Sequence, residues 1–171
     1  LTVTGKAATG AAMSGAAIAA TCATGTGTAV AAADGSYSLD VTAGQLPCVL
    51  EATGADVGGA TITLHSVATG VTAQITPLTE LLIAQVTGAD PAALTTSGNI
   101  AGLSSTFLAS NVQAAQTLLL TMLSDGGIDT SSLASGNLLT GTLAAGSGTG
   151  YDGVLDALGQ AFVVSGTTLA A

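Results

Sequence analysis

The 171-residue chain has no arginine and no tryptophan, one lysine (Lys6), one histidine (His65), two tyrosines and two phenylalanines. These shortages exclude whole classes of function. Nucleic-acid binding needs several Lys or Arg side chains to displace counterions from phosphates, and a chain of net charge −9 with one cation cannot supply them. The same shortage argues against nucleotide and phosphate substrates and against docking on anionic membranes. An aromatic platform for a glycan would have to be built from Tyr37 and Tyr151, which are too few. Long apolar runs are missing as well. A transmembrane helix needs about 18 or more continuous apolar residues, and stretches such as 118–120 and 81–84 are only a few residues long. No transmembrane segment is therefore expected, although the mean hydropathy is +0.68. Disorder is also excluded, because disordered chains are poor in apolar residues and rich in charge.

What fills the chain is small. Ala, Thr and Gly number 34, 27 and 24, together 85 of the 171 positions. The length fits one domain, or one compact domain with an appendage. Two cysteines, Cys22 and Cys48, sit in the apolar, strand-like runs AIAATCAT and LPCVLEAT. An even count in an acidic, Lys-poor chain predicts a disulfide formed in an oxidising compartment, against the alternative of two buried thiols packed as small hydrophobes. The sequence begins at Leu1, with no signal peptide or lipobox visible, and reads as a mature exported chain whose leader is absent.

Periodicity divides the chain near Thr76. Before it, alternation of period two predicts about seven short strands: residues 1–4, 16–23, 28–33, 36–41, 48–53, 61–67 and 71–75. Asp34-Gly35 marks a hairpin turn. This spacing of strands and turns predicts a β-sandwich over residues 1–76. From residue 77 to 171 the period becomes helical. Thr76-Pro77 is an N-cap followed by a first-turn proline, with Leu78, Leu81, Leu82 and Val86 in register and Gly88 as the stop. Asp90-Pro91 repeats the signal for a short turn. A long helix is expected from about Ser105 to Ser124, uncharged until Asp125 and so largely buried. Residues 140–150 read as a loop. A last helix runs from Asp152 to about Val163, with Val154, Leu155, Leu158 and Phe162 inward. One weak echo joins Asp90, Leu94, Gly98-Asn99-Ile100 and Gly102 to Asp129, Leu133, Gly136-Asn137-Leu138 and Gly141. Its spacing slips by one residue, and chance accounts for it better than a repeat.

Candidate chemistry is thin. There is no G-x-S-x-G elbow, and His65, the only imidazole, lies on the Thr61/Thr63 side of its strand, where it should be exposed. Residues 148–153 match G-x-G-x-x-G, but a loop precedes them and no acidic residue follows at the required distance, so a flexible loop before a helix explains them better. The pairs Asp125/Asp129 and Asp152/Asp156 lack the oxygen density of a calcium loop, and helix-dipole and turn chemistry account for them. Lys6 raises the question of an isopeptide bond near Glu51, but the late strands offer no Asn and a solvated lysine is the better reading. No catalytic residue, metal ligand or cofactor is expected.

The opening LTVTGKAATGAAMSGAAI, the CATGTG run and the AADGSYSLDV hairpin resemble the carboxypeptidase regulatory-like, transthyretin-like β-sandwich. The stretch also looks similar to the N-terminal parts of proteobacterial exported proteins, in which two cysteines recur in this context. The resemblance covers residues 1–77 and implies an extracellular or periplasmic adhesive, stalk or structural role, with no catalytic residues to carry over. The expectation is an α+β chain: an Ig-like sandwich of about seven strands followed by three to four helices packed on or beside it. Its expected role is a non-enzymatic extracellular structural protein, a self-assembling subunit of a bacterial surface filament whose partners are copies of itself at the cell surface. The strand Leu1, Thr2, Val3 and Thr4 could pair with a neighbour's sheet edge, or simply open its own sandwich. The alternative role is a monomeric periplasmic or lipoprotein-anchored module that recognises a glycan or a protein.

Overall fold

The alternation of small apolar and hydroxyl residues does produce strands. The computed structural model describes residues 1–96 and 98–165 and is an α+β fold. Its six strands are β1 (Thr2–Lys6), β2 (Ala17–Thr24), β3 (Thr26–Val30), β4 (Ser36–Asp40), β5 (Gln45–Ala55) and β6 (Thr61–Ala68). β1 and β4 pair antiparallel as a two-stranded sheet, and the other four form an antiparallel sheet in the order β3-β2-β5-β6. Period two sends Ile18, Ala20, Leu50, Ala52 and Leu64 into one core with Val3 and Leu39 of the smaller sheet. The opposite face of the larger sheet carries Val49 and Val67, which join a second core built by the helical region. The four-stranded sheet is thus the middle layer of the molecule.

Two sequence expectations change here. Residues 71–75 form no strand of either sheet. They make only isolated parallel bridges, to Thr4 of β1 at Thr72 and to Ala7 just after it at Ile75, with Thr4 N–H donating to Val71 O at 2.9 Å and Ile75 N–H to Lys6 O at 2.8 Å. Their other edge is engaged elsewhere, Gln74 N–H donating to Leu139 O at 2.7 Å, so the segment is shared between the sandwich and the C-terminal half. The two sheets therefore hold six strands in place of about seven. The second change concerns Leu1, Thr2, Val3 and Thr4. The strand is not free for a neighbour: it pairs with β4 on one side and with residues 71–75 on the other. The packing on the second side is close enough that a Cβ at Gly5 would stand 1.7 Å from Ala73 O.

Cys22 and Cys48 face each other across β2 and β5 and form a disulfide, so the link lies within the larger sheet. Asp34-Gly35 makes the expected turn before β4, with Gly35 at φ 77° and Asp34 Oδ1 accepting from Ser36 N–H at 3.0 Å. Lys6 Nζ lies 3.1 Å from Asp34 Oδ2 at the surface.

The helices are α1 (Pro77–Thr87), α2 (Leu103–Thr106), α3 (Ala109–Asp125) and α4 (Gly150–Ser165). α1 starts as the sequence predicts. Thr76 Oγ1 accepts from Thr79 N–H, and Thr79 Oγ1 accepts in return from Thr76 N–H, a capping box with threonine in place of the usual Glu or Gln. Gly88, at φ 65°, closes it. The long helix expected from Ser105 is broken at Phe107 and Leu108, the latter at extended ψ 144°, and α3 begins after the break. Nor is α3 largely buried. It packs through Val112, Gln116, Leu119 and Leu120, while Leu118 and Met122, one turn apart, are 53% and 52% exposed. Only one face of α3 meets the second core, which α1 and α4 also build, so lack of charge did not imply burial. In α4, Val154, Leu155 and Leu158 are buried as expected; the side chain of Phe162 lies outside the described residues.

The sequence echo corresponds to repeated local structure. Asp90 Oδ1 accepts from Ala92 N–H at 2.9 Å at the start of a 3-10 turn (Pro91–Leu94), and Asp129 Oδ1 accepts from Ser131 N–H at 3.0 Å at another (Ser131–Leu133). Leu94 and Leu133 are both buried in the second core, as are Ile100 and Leu138 after the Gly-Asn pairs.

Candidate functional site

Three places gather polar groups. The first surrounds His65 on β6. Contrary to the expected exposure, its side chain is buried, because α1 lies across that face of the sheet. Glu80 of α1 holds it: the imidazole Nδ1 is 3.0 and 3.1 Å from the two carboxylate oxygens, and the His65 backbone N–H donates to Glu80 Oε2. Thr79 Oγ1 lies 2.9 Å from the His65 carbonyl. Burial pulls the imidazole pKa down, but the hydrogen bond and charge of Glu80, with more distant help from Glu51 and Asp90, outweigh it and leave the pKa above the ordinary value. The group is thus a tie between sheet and helix, with both backbone groups of His65 engaged by α1. That excludes it as an accessible base.

The second place is the glycine-rich turn before α4. Gly146 and Gly148 N–H point at Asp152, at 3.0 and 2.7 Å, and Asp152 is fully buried. The first glycine amide of the G-x-G-x-x-G stretch, Gly148, is thus taken by the chain's own carboxylate, as is that of Gly146 just before it. Asp156, one turn further on, is held above the usual carboxylate range, by desolvation first and then by the neighbouring Asp152 charge. Among the described residues no group of three His, Cys, Asp or Glu is placed to hold a metal ion.

The third place is an open groove of about 520 Å³ between α3 and residues 130–137. Gln113, Thr117, Thr121, Ser124 and Asp125 line it from the helix, and Ser131, Ser135 and Asn137 from the opposite wall. The hydroxyls of Thr117 and Thr121 donate to carbonyls one turn back, at 2.9 and 2.8 Å, so they face the groove as acceptors. Gln116 forms its floor and is buried. Its amide donates to Gly136 O at 2.8 Å and its carbonyl accepts from Leu138 N–H at 3.0 Å.

Sequence reasoning missed Gln116 and Gln74. Gln74 works in the same manner on the other side of the segment, accepting from Lys6 N–H at 2.8 Å and donating to Gly141 O at 2.9 Å. Tyr151 adds a third tie, donating to Leu138 O at 2.8 Å. The available signal was a glutamine on the apolar stripe of a predicted helix: a buried amide must find backbone partners. Cys22 and Cys48 are brought together as predicted, whereas Thr2, Val3 and Thr4 lie in the smaller sheet and Leu1 just before it, none of them lining the groove. No helix among the described residues is long and apolar enough to cross a membrane. Comparison with protein-family models, with curated proteins and with solved structures gives no significant match for this chain.

Proposed function

We propose that the chain is a non-enzymatic extracellular structural protein: a self-assembling subunit of a surface filament or appendage, built on a carboxypeptidase regulatory-like sandwich. The observation that carries this reading is the outer face of α3. The helix has no charged residue before Asp125, and it turns Leu118 and Met122 to solvent one turn apart, with the half-buried Ala115 a turn before Leu118. On a chain of net charge −9, an uncharged apolar seam is where two copies can meet without like-charge contact. The disulfide supports an oxidising compartment. Sedimentation and electron microscopy of the purified protein should show polymers, and Leu118→Lys with Met122→Lys should reduce them to smaller species. A strictly monomeric protein at high concentration would overturn the reading.

A second reading, a monomeric binding module, is favoured by the groove lined with hydroxyls and amides beside α3. Glycan-array binding by a monomer, lost in Gln113→Ala, would select it.

A further inference from the structure

The outward edge of β3 differs from the other strand edges of the molecule. Both edges of β1 are occupied. The edge of β6 is covered at His65 by Thr79 and Glu80 of α1, leaving Thr61 and Thr63 at its start. Against β4, the bonds between Leu1 and Val41, 2.8 and 3.0 Å, set the ladder so that Ser38 and Asp40 face outward, and Asp40 places a charge there. β3 has no such protection. Ala31 N–H donates to Ala16 O at 2.9 Å and Cys22 N–H to Gly25 O at 3.0 Å, which fixes the phase of the β2–β3 ladder. The intervening pairs Ala17/Val30, Ala19/Thr28 and Thr21/Thr26 are then the widely bonded ones, so Thr26, Thr28 and Val30 direct N–H and C=O away from β2. Among the described residues no backbone or side-chain partner meets them there. The strand TGTAV contains no charge and no proline, the usual guards of an edge, and β2 beside it is uncharged too. Val30, at its end, is 70% exposed.

We infer that the β3 edge is an interface for a second copy of this chain, joined by antiparallel β3–β3 pairing about a twofold axis at Thr28. The register follows from the phase just described. Thr28 faces the partner's Thr28, while Thr26 and Val30 face the partner's Val30 and Thr26. Each of these residues exchanges N–H and C=O groups with its opposite, so every outward group on the edge is satisfied. The same pairing sets β-branched side chains against one another and covers Val30, a favourable cross-strand arrangement. A twofold contact closes on itself and alone gives dimers. This inference rests on the assembly reading, and it supplies the contact that, alternating with the α3 seam, would extend dimers into a chain.

The register places position 28 opposite itself, and that is the test. Thr28→Lys and Thr28→Glu should each weaken wild-type self-association at least tenfold by sedimentation, and a mixture of the two should recover it as a heterodimer. Thr28→Pro, which removes an N–H that β2 does not use, should do the same without the recovery, its circular dichroism unchanged. Association that survives all three substitutions would overturn the edge while leaving assembly standing. Loss without recovery in the mixture would overturn the twofold register. Dimers that dissociate in the position-28 variants, with no larger species in the wild type, would support the edge and sink the filament. A wild type monomeric throughout would overturn both.

Discussion

The hydroxyl of Tyr151 lies 3.0 Å from Oγ1 of Thr76, 75 residues earlier in the chain, at the point where the sandwich gives way to α1. Thr76 is the N-cap of that helix, and Tyr151 donates onward to Leu138 O. One buried phenol therefore joins the cap of α1, the first turn of α4 and the irregular segment between α3 and α4. Its burial pushes the phenol pKa far up, so it stays protonated and a donor. Tyr151→Phe should lower stability by about 1–2 kcal/mol, because Leu138 O loses its donor in a dry site. Denaturant unfolding measures this directly, and an unchanged midpoint would show that the bond is dispensable.

His65 makes stability depend on pH. Its folded pKa is raised, so the protonated form is held more tightly in the folded than in the unfolded chain. That contribution is complete below the unfolded value of about 6.5 and is lost as pH rises through the folded value. The unfolding midpoint should fall over that range. Glu80→Gln, which removes the nearest carboxylate charge, should flatten the profile. A wild-type midpoint that rises there would contradict the arrangement.

Ser66 makes the opposite kind of prediction. It is fully buried in β6, and its hydroxyl is a buried side-chain group without a hydrogen-bond partner among the described residues. Ser66→Ala removes a polar group that gains nothing on folding, so stability should hold or rise, by up to about 1 kcal/mol. A loss of more than that would indicate a partner for the hydroxyl in solution.

The Cys22–Cys48 bond closes a separation of 26 residues. Alkylation without reductant should leave the mass unchanged. Cys22→Ala with Cys48→Ala should cost on the order of 3 kcal/mol in the chain-entropy model. Two alkyl additions to the unreduced protein would show free thiols.

By itself the sequence determined the local elements. Period two placed the strands, since Ile18, Ala20 and Cys22 had to share a face, and Thr76-Pro77 and Gly88 fixed both ends of α1 through capping groups a few residues away. The cysteine pair followed from composition. The candidate groove was not legible, because its floor depends on Gln116 meeting Gly136 and Leu138, and neither residue pattern marks the other. What only the tertiary structure decided was which edges and faces remained open. Residues 71–75 read as a strand, yet Gln74 is drawn to Leu139 on one side and β1 is consumed on both, so of the two readings left for Leu1 to Thr4 the strand within its own sandwich holds and the donor strand is closed. His65 read as exposed until α1 crossed it, and α3 read as buried although only one of its faces meets the core. The physical reason is the same throughout. Backbone periodicity is a local property, but whether a hydrogen-bonding edge or an apolar face is left to solvent depends on what distant segment reaches it first.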